Sequence, residues 1–329
     1  MGQYPSHSTN RKGDETLSKI LCIIDGMTDP EFNLSQYPHL SGLYQLGEVD
    51  TCRGSAPESL GCILRLLGTK EVPERFRGYV EALGCGIPVG EDDLILRGSW
   101  YRVDERGYCV APVAGESRLP VGEEVCRYYP MGQYKRLLVF PGMAGAVTEI
   151  CTQSPYRCAG RPAIMMKPVG LPALERLFDW CLGAGKCLIP WGESVPAKIP
   201  AFPERGCVVC GTEIVRGIAR LLDMALVVPA GCTGDTDTDL MAKVQATLQA
   251  AEEYPFVLLH INGADEASHR RDRREKQAFL KKVDALVLPP LLRSGHGVWV
   301  VADHGTDPGT GAHLGEKQPR YGNRPEWFW

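Results

Sequence analysis

The sequence predicts an α/β protein in which a mostly parallel sheet carries helices on both faces and is interrupted by a smaller α+β inserted domain. From about Pro168 the chain alternates between helical and strand patterns, which is typical of a parallel sheet with helical crossovers. Two apolar runs end in an acidic residue, Ile20–Ile24 before Asp25 and Val298–Ala302 before Asp303. Because a buried strand reads as a short apolar run, both segments fit strands whose carboxyl ends carry a site.

The first half of the chain predicts one strand, one helix and the inserted domain. The strand covers Ile20–Ile24, and the helix covers Leu60–Gly68, directly after Pro57-Glu58-Ser59. From about Asp92 to Ala163, short strand-like pieces are separated by Gly and Pro turns. These pieces are Trp100–Val103, Tyr108–Val113 and Arg136–Phe140. Residues 92–163 are therefore predicted to be the inserted domain, between core segments 18–91 and 164–329.

The second half predicts alternating helices and strands. The helices are predicted over Leu171–Leu182, Thr212–Leu222, Thr238–Glu253 and Arg274–Leu288, and the strands over Cys187–Trp191, Ala225–Val228, Phe256–Ile261 and Gly297–Ala302. Asp265 and His269 are four residues apart, a spacing that on a helix places both side chains on one face. The mixed-charge run 270–276 fits a solvated helix start better than a nucleic-acid patch.

Composition limits the class of protein. The 329 residues suffice for one large domain or two ordinary ones, and 44% hydrophobic with 23% charged residues allow a substantial core. A net charge of −4 argues against a general nucleic-acid or membrane-surface binder, so neither partner is expected. No apolar stretch is long enough to predict a membrane span. Met1–Leu17 is polar, lacks the pattern of a secretory signal and is predicted to be a flexible tail.

The thirteen cysteines are scattered along the chain. Several lie in or beside apolar runs, as Cys22 and Cys181 do, where cysteine packs as a small hydrophobic residue. Without a secretory signal, reduced thiols in the cytoplasm are the better interpretation. Cys207-Val-Val-Cys210 is the only C-x-x-C pair, and its apolar filling predicts a buried strand rather than a zinc or redox site.

Oxygen and imidazole ligands in separate blocks predict a site for two divalent metal ions. The candidate ligands are Asp25, Ser59, Asp265, His269, Asp303, His304 and His313. This mixed set suits Mn²⁺ or Zn²⁺, with Mg²⁺ as a further candidate, and needs no thiolate. Two such ions would clamp the attacking and leaving oxygens of a phosphoryl transfer. Ser59 is the candidate nucleophile, because it precedes a helix whose amino-terminal amides favour a phosphoryl group.

Each candidate residue, taken alone, also has a structural interpretation. Asp25 in an Asp-Gly pair fits a turn, Ser59 fits a helix N-cap, and His313 fits a solvent-exposed loop. His260 and His296 join no group of ligands and are interpreted as structural. The joint pattern, rather than any single residue, favours metal-assisted phosphoryl chemistry.

Further landmarks extend this pattern along the chain. In order they are Asp25-Gly26, Ser59, Glu81–Ile87, Gly231–Lys243, Asp265–His269, Asp303-His304 and His313. With them the sequence resembles the archaeal-type, 2,3-bisphosphoglycerate-independent phosphoglycerate mutases of the alkaline phosphatase superfamily. The resemblance runs from Leu21 to about Pro319. It implies an alkaline-phosphatase-like core, a small phosphorylated substrate and the glycolytic interconversion of 3-phosphoglycerate and 2-phosphoglycerate.

The resemblance also implies roles for individual residues. One metal ion would be held by Asp265, His269 and His313, and the other by Asp25, Ser59, Asp303 and His304. Ser59 would take the phosphoryl group from 3-phosphoglycerate, and the 2-hydroxyl of the reoriented glycerate would take it back. Substrate contacts would come from Arg77, Arg97 and Lys243.

The substrate-facing positions depart from the family pattern, whereas the metal ligands do not. The family's Gly-Arg-Gly-Pro stands here as Phe76-Arg77-Gly78-Tyr79, and its Asp-Pro-His as Ser154-Pro155-Tyr156. Three functions therefore stay open. They are a phosphoglycerate mutase, a metal-dependent phosphatase or mutase acting on another small phosphoester, and a non-catalytic binding protein that keeps the fold.

Overall fold

The computed structural model describes residues 17–119, 121–132, 134–155, 158–182 and 185–327. The strands are β1 (Lys19–Ile24), β2 (Tyr44–Val49), β3 (Leu94–Val103), β4 (Cys109–Pro112), β5 (Arg127–Pro130), β6 (Lys135–Phe140), β7 (Lys186–Ser194), β8 (Gly206–Val209), β9 (Ala225–Val227), β10 (Phe256–Ile261), β11 (Gly297–Val301), β12 (Gly305–Asp307), β13 (Ala312–Leu314) and β14 (Gln318–Gly322). The α-helices are α1 (Pro38–Ser41), α2 (Ser59–Leu66), α3 (Arg77–Cys85), α4 (Pro172–Leu182), α5 (Glu213–Leu221), α6 (Leu240–Glu253), α7 (Gly263–His269), α8 (Arg273–Leu286) and α9 (Leu288–Arg293). The predicted tail, apart from Leu17, lies outside the described residues, as does Tyr156.

Seven strands form the main sheet, in the order β2-β14-β11-β1-β10-β8-β9. The strands from β11 to β9 are parallel, and β14 and β2 add an antiparallel edge. The register pairs Ile24 with Ile261 and Ile23 with Val301, so β1, β10 and β11 end at the same edge of the sheet. The predicted mostly parallel α/β architecture is therefore confirmed.

Helices cover both faces of this sheet. On one face, Ile20 and Cys22 of β1 pack with residues of α1, α6, α8 and α9. On the other face, Leu21 and Ile23 pack with residues of α2, α3 and α5. Because successive strand residues point to opposite faces and both faces are buried, the central strands read as continuous apolar runs.

Two glycines allow helices α3 and α5 to approach closely. A Cβ added at Gly84 would overlap the carbonyl oxygen of Glu213, and a Cβ added at Gly217 would overlap that of Val80. The two backbones therefore touch where any larger residue would separate them. This contact positions α3, which begins at Arg77.

We expect Gly217→Ala to lower the free energy of unfolding by about 3 kcal/mol, because the added methyl group would force α5 away from the backbone of α3. Gly145→Ala is the matched control, since a Cβ there meets nothing within 4 Å. The control should change the free energy by no more than about 0.5 kcal/mol. Urea unfolding followed by circular dichroism measures both, and equal effects in the two variants would contradict the close approach.

The smaller sheet has the order β4-β3-β6-β5, with β7 pairing on β3. Arg97 of β3 lies opposite Trp191 of β7 in this antiparallel pair. Helix α4 packs here too, because Leu177 shares a core with Leu188 of β7 and with residues of β3 and β6. The structure thus groups α4 and β7 with the smaller sheet, whereas residues 164–329 were all predicted to belong to the core. The reason is that a helix-then-strand pattern does not reveal which sheet the strand joins.

Most other predicted elements are present with shifted ends. The helix predicted over Arg274–Leu288 is α8, and a further helix, α9, which was not predicted, follows it with a proline in its first turn. The predicted buried strand at Cys207 is β8. Strand β2 was not predicted, because its largely exposed side chains lack an apolar pattern. In the part of the chain that the structure describes, no helix has the length and apolar character needed to cross a membrane.

Candidate metal centre

The predicted ligands meet at the carboxyl ends of three adjacent parallel strands. Asp25 follows β1, Asp303 and His304 follow β11, and α7, which carries Asp265 and His269, follows β10. Segments far apart in sequence converge there because parallel strands end at a common edge. Two groups of side chains each place ligand atoms within 4.8 Å of one another, namely Asp25, Asp303 and His304, and Asp265, His304 and His313.

Ser59 is the first residue of α2 and points into the first group. Its Oγ lies 3.1 Å from Nε2 of His304 and 3.5 Å from Oδ2 of Asp25. The N-cap position belongs to Glu58, so the N-cap interpretation of Ser59 is wrong. The hydroxyl is directed to the acidic cluster and stays partly exposed, as a nucleophile must be.

His269 joins Asp265 and His313 of the second group, so that two imidazoles and one carboxylate lie together apart from His304, which the two groups share. Nε2 of His269 lies 3.1 Å from Oδ2 of Asp265 and 3.0 Å from Nε2 of His313. Nε2 of His313 lies 3.5 Å from Oδ1 of Asp265. The predicted helical spacing of Asp265 and His269 is confirmed, and His313 reaches them from β13. The three side chains therefore place two imidazole nitrogens and a carboxylate, donors of the kind that divalent metal ions bind, next to one another.

The orientation of the imidazoles suits metal binding. Each Nδ1 lies within hydrogen-bonding distance of a backbone carbonyl oxygen: His269 of Gly311 at 2.9 Å, His313 of Pro57 at 2.6 Å, and His304 of Gly305 at 3.2 Å. An Nδ1–H that donates to a carbonyl leaves the lone pair on Nε2. In all three residues, Nε2 is the atom that faces the cluster.

Orphaned carboxylate oxygens provide the test of whether these residues fit a cation. Asp303 is fully buried, and neither of its carboxylate oxygens has a hydrogen-bond partner among the described residues. Oδ1 of Asp25 likewise has no hydrogen-bond partner among the described residues. Burying an ionised carboxylate without a hydrogen-bond donor destabilises the folded protein by roughly several kcal/mol, unless a nearby cation offsets the charge. The residues present therefore fit divalent metal ions.

The electrostatics of the cluster point the same way. Burial, with the charges of Asp303 and Asp265, raises the pKa of Asp25 well above its usual range. Burial opposes protonation of His269, but the hydrogen bond and charge of Asp265 outweigh it and raise the pKa of His269 to about 9. Both shifts show that the closely spaced carboxylates attract positive charge, which a proton or a metal ion can supply.

His260, which was predicted to be structural, lies next to Asp25. It lies on β10, is fully buried, and places Nε2 3.3 Å from Oδ2 of Asp25. Burial lowers its pKa to about 4, so the imidazole is neutral. A polar residue near the carboxyl end of an otherwise apolar strand was the available signal.

Arg77 and Arg97 meet at the carboxylate of Glu81. Both pair with the buried carboxylate of Glu81, and both guanidinium groups stack on the ring of Trp191, at 5.3 and 5.4 Å from its centroid. Burial opposes ionisation of Glu81, but the two arginines outweigh it and hold its pKa below the usual range. Arg77 also reaches Glu58, the neighbour of Ser59, at 3.4 Å.

Lys243 does not join either group. Its side chain is fully buried, and Nζ donates to the carbonyl oxygen of His260 at 2.9 Å. The structure therefore gives Lys243 a supporting contact to β10 instead of the predicted contact with substrate. Its position four residues into a helix, with the neighbouring Val244 in the core, explains why spacing alone did not reveal this.

A groove of about 410 Å³ lies next to Ser59. Its lining includes Glu58 and Arg77 together with Thr152 and Trp191. The groove therefore offers a route by which a small polar molecule reaches the start of α2.

Comparisons with known proteins find relatives along most of the chain. The family model of the metalloenzyme superfamily matches residues 132–319. A 2,3-bisphosphoglycerate-independent phosphoglycerate mutase of Archaeoglobus fulgidus is 34% identical, over 88% of this chain and 86% of the relative. One from Ignicoccus hospitalis is 29% identical, over 74% and 70%. A solved structure from Pyrococcus horikoshii has the same fold, with a TM-score of 0.70 at 19% identity, covering 94% of this chain and 89% of that one.

Proposed function

Because the chain belongs to the metalloenzyme superfamily and to the 2,3-bisphosphoglycerate-independent phosphoglycerate mutases, we propose that it interconverts 3-phosphoglycerate and 2-phosphoglycerate through Ser59. The observation that carries the proposal is the Ser59 hydroxyl, held between Asp25 and His304 at the start of a helix. Family membership sets the non-catalytic alternative aside. With its many free thiols, the enzyme would work in the reducing cytoplasm.

Two divalent ions, Mn²⁺ or Zn²⁺ with Mg²⁺ as a further candidate, would be held by the two groups of ligands. The first group is Asp25, Ser59, Asp303 and His304, and the second is Asp265, His269 and His313. The orphaned oxygens of Asp303, and the imidazoles whose Nε2 atoms face the cluster, support this assignment. When bound, the ions would supply Lewis-acid polarisation of the phosphoryl oxygens and would lower the pKa of the serine hydroxyl.

Ser59 takes part in two steps, in which it first accepts the phosphoryl group and then returns it. Its Oγ forms a bond to phosphorus while the bond between phosphorus and the 3-oxygen of the substrate breaks, and the serine proton ends on the leaving oxygen. The 2-hydroxyl of the glycerate then attacks the phosphoserine and restores Ser59 with a proton. The amides at the start of α2 favour the transferring group in both steps, because the helix dipole is positive there.

Arg77 and Arg97 are proposed to bind the substrate's charged groups and to retain the glycerate between the steps. Glu81 neutralises part of their charge, an observation that favours a second candidate function. If the glycerate is held weakly, water competes for the phosphoserine, and the enzyme acts as a phosphatase on this or another small phosphoester.

A paired assay on metal-loaded protein tests the proposal. We expect formation of 2-phosphoglycerate from 3-phosphoglycerate without release of phosphate, and loss of this activity after chelation. Phosphate release from 3-phosphoglycerate or an aryl phosphate, without isomerisation, would establish the phosphatase instead. Absence of both activities, with the ions bound, would refute phosphoryl transfer to these substrates.

A further inference from the structure

Lys276 lies fully buried in α8 and joins two loops that carry proposed metal ligands. Its Nζ donates to the carbonyl oxygen of Thr306 at 2.7 Å and to that of Thr28 at 3.2 Å. It also pairs with Oδ2 of Asp29 at 2.8 Å. These three partners match the three hydrogens of the ammonium group, so the buried charge is fully satisfied.

The two loops follow neighbouring strands of the main sheet. The first runs from Asp25 to Asp29 after β1, and the second runs from Asp303 after β11 to Thr306 in the short strand β12. The amide of Thr306 donates to the carbonyl oxygen of Thr28 at 2.9 Å, and Gly26 and Gly305 form a parallel bridge. Lys276 binds the carbonyl groups on both sides of this junction. Its ammonium therefore holds the two ligand-bearing loops in a fixed relation.

Thr306 extends this connection to the second group of ligands. Its Oγ1 donates to Oδ1 of Asp265 at 2.6 Å and lies 3.4 Å from Nδ1 of His304. A shift of the Thr306 backbone would therefore move the hydrogen-bond donor to Asp265. It would also move the segment that carries Asp303 and His304. Lys276 contacts neither group of ligands directly, yet it restrains both through one residue.

A purely structural role does not explain the charge. A methionine of similar length would fill the same space without the cost of desolvating an ammonium group and its carboxylate partner. What methionine cannot supply is the set of charge-assisted hydrogen bonds that join the two loops. The charge of Lys276 therefore serves to hold the two loops in their relative geometry.

We propose that Lys276 is a positioning residue that sets the affinity of both metal subsites by fixing the loops after β1 and β11. This inference rests on the metal site of the proposed function. Groups that hydrogen-bond a metal ligand typically change the affinity for the ion by about 10- to 100-fold. Because Lys276 acts through Thr306, we expect the lower end of that range, a loss of about 10-fold, in Lys276→Met. The KM for the phosphoester, measured at saturating metal, should stay near the wild-type value.

The experiment is calorimetric titration of the metal-stripped full chain with Mn²⁺ alone and with Zn²⁺ alone, alongside thermal unfolding. Lys281→Met is the matched control, because Lys281 is exposed on the same helix. It should bind both ions as the wild type does. Asp29→Asn keeps the shape of the ion-pair partner and removes its charge, so it should weaken metal binding by a smaller factor, about 3- to 10-fold.

The outcomes separate the inference from the proposed function. Wild-type affinity in a folded Lys276→Met protein would overturn the inference and leave the proposed function standing. If Lys276→Met does not fold, Asp29→Asn decides, and unchanged metal affinity in that variant would overturn the inference. A wild-type protein that binds neither ion would overturn both.

Discussion

Replacing Ser59 by alanine is expected to abolish turnover while both metal ions stay bound. The hydroxyl is the group that forms the bond to phosphorus in the proposed reaction, and loss of a nucleophile lowers kcat by roughly four orders of magnitude or more. Metal binding should persist, because Asp25, Asp303 and His304 keep their carboxylate and imidazole ligands in place. Steady-state kinetics and metal content by mass spectrometry measure the two effects on the same preparation.

Ser55→Ala is the matched control for this variant. Ser55 lines the groove near Ser59, but its hydroxyl accepts a hydrogen bond from Arg65 and faces neither group of ligands. Its activity should remain close to that of the wild type. Undiminished turnover in Ser59→Ala would remove Ser59 as the nucleophile and would require a different phosphoryl acceptor.

The second large effect concerns metal stoichiometry. Asp265→Ala and His269→Ala should each lower the number of bound ions from two towards one, because both residues belong to the group that includes His313. The group formed by Asp25, Asp303 and His304 keeps all its side chains in these variants. We expect turnover to fall by about a thousandfold or more, since one remaining ion cannot stabilise both the attacking and the leaving oxygen.

Ser268→Ala controls for a change within the same helix. Ser268 is fully buried, and its hydroxyl donates to the carbonyl oxygen of Ala264 instead of to a ligand. Two bound ions are expected in this variant. Two ions in both Asp265→Ala and His269→Ala would refute the assignment of these residues to a separate metal subsite.

The proposed ligands could be predicted from the sequence, because the donor atoms of a residue and the pattern around it are local properties. Asp25 and Asp303 end apolar runs, which predicts that each lies at the carboxyl end of a strand. Asp265 and His269 have the spacing that places both side chains on one face of a helix. The resemblance to a family of metal-dependent mutases then linked the blocks. The structure brings all of them together at one sheet edge.

The direction of a side chain is a different matter. Lys243 was expected to face a substrate, but its side chain runs into the core and ends on the backbone of β10. His260 was interpreted as structural, yet it lies against Asp25. Both depend on how a helix and a strand rotate against their neighbours, which the sequence of a single segment does not specify.

The sequence by itself determined the class of fold, the elements that build the parallel sheet and the donor atoms of the proposed metal ligands. These follow from apolar periodicity and from the donor atoms of each residue, which are properties of short segments. Only the tertiary structure decided that β7 joins the smaller sheet, that Glu81 holds Arg77 and Arg97, and that Lys276 ties two loops together. Such contacts depend on long-range packing, because the free energy of a buried charge or strand pairing is set by partners that are distant in sequence.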